Sequence, residues 1–313
     1  MLERCRRDQW RLDDLDWTMK PRPMPQAQEE AVVQYFTDMA GIERLAKALF
    51  AEQRRRVDDP VLKEIFATFV RDEERHAQCA ERLARFYDVH RYREYRINRH
   101  LERFAPHFIA AVREVPAEIA NAYITSGEIL LDVALLRSLD DYVRDEMSHQ
   151  AMELINRDES RHIAVDFHMV EYYCSPAYLI EREERLGKTR RERARSFYTF
   201  TAMLLSAGPF LRDVFFEPMD LTDPSGRRMY QAFKRIQLMS RREDVGRRPF
   251  TRFLRTLQLL FIHPVMGPLF GSVIARIVGV DPRVLIELYS PEEEERARAM
   301  SLQEMAAEIL SLK

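Results

Sequence analysis

RDEERHAQ at residues 71–78 and RDESRHIA at residues 157–164 agree at Arg, Asp, Glu, Arg and His, and each supplies a Glu-x-x-His. On a helix, residues three and four apart share a face. In the first copy that face also carries Leu62, Phe66, Phe69, Ala80 and Leu83; in the second it carries Met152, Ile155, Asp166, Met169 and Tyr173. Glu73, His76, Glu159 and His162 therefore stand where the helical period asks for core residues. Ionisable groups in such places are costly unless something pairs with them.

Outward from these octets the chain reads as helices. One runs from about Gln26 to Val57, closed by Asp58-Asp59-Pro60, and the next from about Val61 to Tyr87. A second pair runs from about Pro116 to Tyr142 and from about Asp145 to Tyr173, stopped at Ser175-Pro176. Two helical hairpins, each with one DExRH on its second helix and a long crossover between them, are the connectivity of a ferritin-like four-helix bundle. In an antiparallel hairpin, residues equidistant from the turn face one another. That rule sets Glu43 opposite Glu73 and Glu128 opposite Glu159, at separations of 30 and 31 residues. Glu128 itself interrupts an apolar face made by Ile124, Leu131 and Leu135.

Four glutamates and two histidines inside one bundle would repel one another, and two divalent ions would satisfy them. One Glu from each of two helices, with a Glu-x-x-His from each of the other two, is the di-iron or di-manganese carboxylate pattern. Imidazole and carboxylate together suit iron or manganese, and no thiolate selects zinc or copper. Asp72 and Asp158, each preceding a ligand-type Glu, are placed to accept the outer N–H of a ligating imidazole. Arg75 and Arg161 are placed to offset the negative charge of the carboxylates. Phe66, Phe69, Ile124 and Ile155 lie beside the six ligand-type residues and are the candidates to line a substrate pocket.

The rest of the chain bounds the alternatives. Only nine glycines in 313 residues argue against all-β and glycine-loop α/β folds. A net charge of −2 gives no reason to expect nucleic acid as a partner. Cys5, Cys79 and Cys174 are too few and scattered for a disulfide framework. The first ten residues, MLERCRRDQW, contain no apolar segment of the export type, which points to the cytoplasm. Residues 1–25, ending in KPRPMP, read as an N-terminal arm; 26–175 as the di-metal bundle; and 176–313 as an extension packed on it. That extension shows helical patterns at about 189–216, 226–243, 248–262, 266–279 and 291–311. The basic, aromatic HRYREYRINRH at 90–100 is expected to be a solvated connector or a surface for an acidic partner. The apolar stretch 256–280 has the length of a membrane span, but His263, Pro264, Pro268 and Arg276 break it in two. We expect a buried helix pair there and no membrane contact.

With its repeated DExRH and matched glutamates, the segment 26–175 resembles the ferritin-like di-iron carboxylate superfamily, in the form used by O2-activating members such as multicomponent hydroxylases and acyl-carrier-protein desaturases. The size and helical C-terminal part are also similar to the p-aminobenzoate N-oxygenase family. That family has a further histidine four residues before the second-pair Glu, where this chain has Ile155. The resemblance implies an enzyme holding two Fe ions, or Mn and Fe, with O2 as co-substrate. Such an enzyme hydroxylates or N-oxygenates a small-molecule or carrier-bound substrate and draws electrons from a ferredoxin or reductase. A homodimer is the expected assembly. Two alternatives are a desaturase-like oxidase, docking an acidic carrier through 90–100, and a radical-generating subunit resembling the small subunit of ribonucleotide reductase. Tyr123 and Tyr173 would be the redox candidates in the second case.

Overall fold

Three- and four-residue apolar spacing runs almost the length of the chain, and the computed structural model answers it with helices alone: all regular structure among the described residues is helical. Residues 1–178, 180, 189–278 and 281–312 are described, apart from the side chains at 123, 132, 249, 250, 277 and 278.

Four long elements build the interior. Helix α2 (Gln26–Arg56) follows the short α1 (Leu2–Arg7), and α3 is Pro60–Tyr87. After α4 (Arg99–Glu114) come α5 (Ala117–Ile129), a π-helical segment at Leu130–Leu136, and α6 (Arg137–Val143); α7 is Glu146–Cys174. Helix α2 packs on α3, α3 on α7, α7 on α5 and α5 on α2, closing a ring around one core. The turns are set locally. Asp59 accepts the backbone N–H of Leu62 at 2.8 Å, with Pro60 at the first helical position of α3. Arg144 adopts a left-handed conformation, φ 50°, to end α6, and Asp145 then accepts the N–H of Met147 to cap α7.

Two expectations about the segment before α5 change. Residues 88–98 do form a non-helical connector, and part of it is tied to α2: the His90 Nδ1 lies 2.7 Å from Glu29 and Arg93 pairs with Glu30, while Arg91 stays exposed. Arg99–Glu114 is a helix that the sequence pattern does not announce, with Pro106 inside it. It seats closely on α2, because a side chain at Gly41 would meet Leu101 at 2.8 Å.

Asp38 on α2 anchors this connector, accepting the backbone N–H of Asn98 at 2.6 Å and the Gln34 amide at 3.1 Å. Burial pushes its carboxyl up to about 6. A carboxyl whose pKa is higher folded than unfolded contributes stability that is full at low pH and is lost as pH rises through the folded value. Wild-type stability relative to Asp38→Asn, which keeps an acceptor for Asn98, is therefore expected to fall by about 1–3 kcal/mol between pH 4 and 7. Urea unfolding of both proteins across that range checks it; a difference independent of pH would rule it out.

Beyond α7 the chain continues as α8 (Arg190–Phe210), a second π-helical segment at Leu211–Phe216, α9 (Glu217–Thr222), α10 (Arg227–Met239), α11 (Glu243–Gly246), α12 (Pro249–Ile262), α13 (Met266–Val278), α14 (Pro291–Ala299) and α15 (Leu302–Leu310). The final helix, expected unbroken, is two: Ser301 accepts the N–H of Glu304 and starts a new capping box there. Helices α8 and α15 pack on α4 and α7 respectively.

The pair α12–α13 forms where the apolar stretch predicts it, but it is not buried. Leu259, Ile262, Val265, Leu269, Phe270 and Val273 are all exposed. The one run long and apolar enough to cross a membrane, among the described residues, is Ala117–Val143, and it is mostly buried as core. The arm also differs from an extended leader: Cys5, Trp10 and Leu15 are buried, and α1 lies on α3.

Candidate metal centre

The four ring helices bring all six ligand-type residues into one buried cluster. Glu43 of α2, Glu73 and His76 of α3, and Glu159 of α7 place one ligand atom each within 4.8 Å of one another. Glu128 of α5, with Glu159 and His162 of α7, does the same. Glu159 belongs to both groups.

Both imidazoles turn Nδ1 inward. His76 Nδ1 lies 3.1 Å from Glu159 and 3.8 Å from Glu73; His162 Nδ1 lies 2.9 Å from Glu159 and 3.1 Å from Glu73. Both turn Nε2 outward to an aspartate, and the pairing is crosswise. His76 meets Asp158 of the other repeat at 3.1 Å, and His162 approaches Asp72 of the other repeat at 3.5 Å. A helix directs residues i and i+4 to one face, so each aspartate, four residues before the His of its own octet, leans across the α3–α7 interface to its partner.

The two arginines do not touch the glutamates directly. Arg75 donates to Asp158 at 2.8 Å and also to Asp72, while the fully buried Arg161 donates to Asp158 at 2.6 Å and reaches Asp72 at 3.4 Å. Two aspartates and two arginines thus form a closed neutral layer. The N-terminal arm completes it. The Trp10 indole N–H donates to Asp158 at 2.8 Å, Gln9 donates to Asp72 at 2.9 Å, and the Trp10 ring stacks near His76 with Arg75 over it. Gln9 and Trp10 carry no periodic signal, and nothing in the sequence alone marks them as part of the site.

The electrostatics are those of a carboxylate cluster out of water. Burial, reinforced by Glu73, drives the Glu43 carboxyl well above its ordinary range; burial and then Glu159 do the same for Glu128 and, less strongly, for Glu73. Burial also acts on Glu159, but the two imidazoles outweigh it, and its pKa falls well below the ordinary value. Burial opposes protonation of His76 and His162, yet Asp158 and Glu159 at the first, and Glu159 and Asp72 at the second, hold both imidazoles well above the ordinary range.

Cations fit these residues. Both oxygens of Glu43 and one of Glu128 are buried without a hydrogen-bond partner among the described residues. Such atoms are rare in folded proteins unless an ion or water meets them. Two dications would balance the four carboxylates, while the Asp–Arg layer balances itself.

Asp166, on the same face of α7 one turn beyond His162, is also fully buried, with no hydrogen bond to either oxygen among the described residues, and burial lifts its carboxyl to about 8. It stands on the ligand stripe in the sequence, where spacing alone assigns it no role. Phe66, Phe69, Ile124 and Ile155 are buried core; the Phe69 ring packs 4.1 Å from His162, centroid to centroid. A mainly apolar cleft of about 130 Å³ lies on the outer side of α5, lined by Ala122, Ser126, Leu254, Leu257, Val284 and Leu285. It uses none of the four expected pocket residues. His149 is exposed and bonded to Asp140. Tyr173 sits in a cluster with Tyr172 and Tyr178, and the side chain of Tyr123 lies outside the described residues.

Comparison with protein-family models, curated proteins and solved structures returns no match. The class that fold and site define is therefore as far as the chain identifies itself: an all-helical protein with a buried Glu/His cluster able to hold metal.

Proposed function

We propose that this chain holds two iron ions, or manganese and iron, between α2, α3, α5 and α7, and uses them with O2 to oxidise a small organic substrate. The observation that carries the reading is the crosswise pairing of His76 with Asp158 and of His162 with Asp72. It holds each Nε2 on an aspartate and turns each Nδ1 toward the carboxylates, the position from which a neutral imidazole would ligate.

When bound, such a metal pair supplies the redox chemistry with O2 that side chains cannot. The chain's own part is positioning. Glu43 and Glu128 each serve one side of the cluster, and Glu159 joins both. The Asp–Arg layer fixes both imidazole tautomers. Trp10 and the arm cover the α3–α7 side and exclude water. In the metal-free chain, burial favours a proton on Asp166, one turn from His162. An electron donor such as a ferredoxin or reductase would supply the reducing equivalents.

Anaerobic loading with Fe(II) and subsequent exposure to O2 tests the proposal. We expect about two irons per chain and O2 uptake that tracks bound iron. Fewer than about one iron per chain, or bound iron inert to O2, would overturn it.

A further inference from the structure

The α12–α13 hairpin leaves its apolar residues in the open. Val265 at the turn is 60 % exposed, Leu269 64 % and Leu259 50 %. These are not scattered single positions, which would need no explanation, but the turn and the outward flank of one hairpin whose other side packs on α8 and α5. The tip is built tightly. A side chain at Gly267 would meet the Phe261 carbonyl at 2.3 Å, and Gly271 lies against the Phe261 ring, so the two helices close on each other through glycine. Beside the hairpin, α8 packs on α13 and leaves Phe197, Tyr198 and Leu205 exposed.

Charge on the hairpin is one-sided. Residues 249–278 contain Arg252, Arg255 and Arg276 and no Asp or Glu. All three arginines are exposed, and none forms an ion pair among the described residues. Their heights coincide. They stand 10 to 13 residues from Val265 along the two helices, about 15–20 Å behind the tip at 1.5 Å per residue. Half the hydrocarbon thickness of a bilayer is about 15 Å. A tip inserted that far would therefore carry the arginine collar to the level of the headgroups. The 14 residues of α12 and 13 of α13 give helices of about 20 Å, too short to span.

We propose that this hairpin docks the protein on an anionic phospholipid surface, with the apolar tip entering one leaflet and Arg252, Arg255 and Arg276 meeting headgroup phosphates. A second copy of the chain fits the face less well. A twofold interface sets the same patch against itself, and this patch offers no acid to face its arginines.

The test is sedimentation of the full-length protein with vesicles of phosphatidylcholine, with and without phosphatidylglycerol. We expect binding that requires phosphatidylglycerol. The pair Leu269→Glu, Phe270→Glu should abolish it, and Arg252→Ser with Arg255→Ser should weaken it by roughly 25-fold, at about a factor of five per arginine. Because all four positions are exposed, circular dichroism should report an unchanged fold. Val265→Trp adds a direct reading of depth: its emission should shift to the blue on anionic vesicles. No sedimentation with either vesicle, or binding that survives Leu269→Glu with Phe270→Glu, would overturn the proposal. So would a stable dimer in light scattering that the same two changes split, which would assign the face to a second copy.

Discussion

Glu159→Gln is expected to bind neither metal ion, whereas Glu43→Gln and Glu128→Gln should each retain one. The difference comes from membership. Glu159 supplies an oxygen to both groups of ligand atoms, while Glu43 belongs to one and Glu128 to the other. Loss of an outer hydrogen-bond partner alone typically lowers metal affinity 10–100-fold, so loss of a shared carboxylate should cost at least ~100-fold at both positions. Glutamine preserves the shape, and the helices should persist. Metal analysis after anaerobic loading reads the outcome as roughly two ions per wild-type chain, one in the single-sided variants and none in Glu159→Gln. Equal losses in all three variants would show that the cluster binds as one indivisible unit. Full retention in Glu159→Gln would remove it from the ligand set.

Asp158→Ala should cost the metal-free protein about 3–5 kcal/mol of stability. This carboxylate receives Arg161, Arg75, the Trp10 indole and the His76 ring, all at 3.1 Å or less. Arg161 is fully buried, so removing Asp158 leaves it a charge with only the longer contacts to Asp72 and the Arg157 carbonyl. Asp158→Asn keeps the shape and one acceptor, and it should fall between the two, near 1–3 kcal/mol. Denaturant unfolding of the metal-free proteins separates this structural effect from any loss of ligand orientation. A cost below about 1 kcal/mol for Asp158→Ala would mean that the neutral layer contributes little to the fold.

What the sequence discloses here is what is periodic and near in the chain. The two Glu-x-x-His pairs are legible because a helix puts i and i+3 on one face whatever surrounds it. Glu43 and Glu128 come from one further rule, that hairpin partners are equidistant from the turn. The crosswise choice of aspartate is not legible, because it depends on how α3 and α7 lean on each other. Gln9 and Trp10 come from a segment with no period and act 63 and 148 residues away, at Asp72 and Asp158. Helix α4 is hidden by Pro106 and by a basic composition that reads as connector. The 256–280 stretch shows the opposite failure: its hydropathy is plain, but hydropathy alone does not say whether a neighbour covers it.

The π-helical segment at Leu130–Leu136 also bears on how the chain tolerates a change of length. A π turn accommodates one more residue than an α turn. Deleting a single residue within 130–136 can be absorbed by restoring ordinary α-helical hydrogen bonds, with Glu128 upstream left in place. The same deletion at Arg137 would rotate the residues that follow it in α6 by about 100° and turn the buried Ser138, Leu139 and Val143 off their face. Within the ring of helices, this is a built-in slack loop, beginning two residues after a carboxylate of the buried Glu/His cluster.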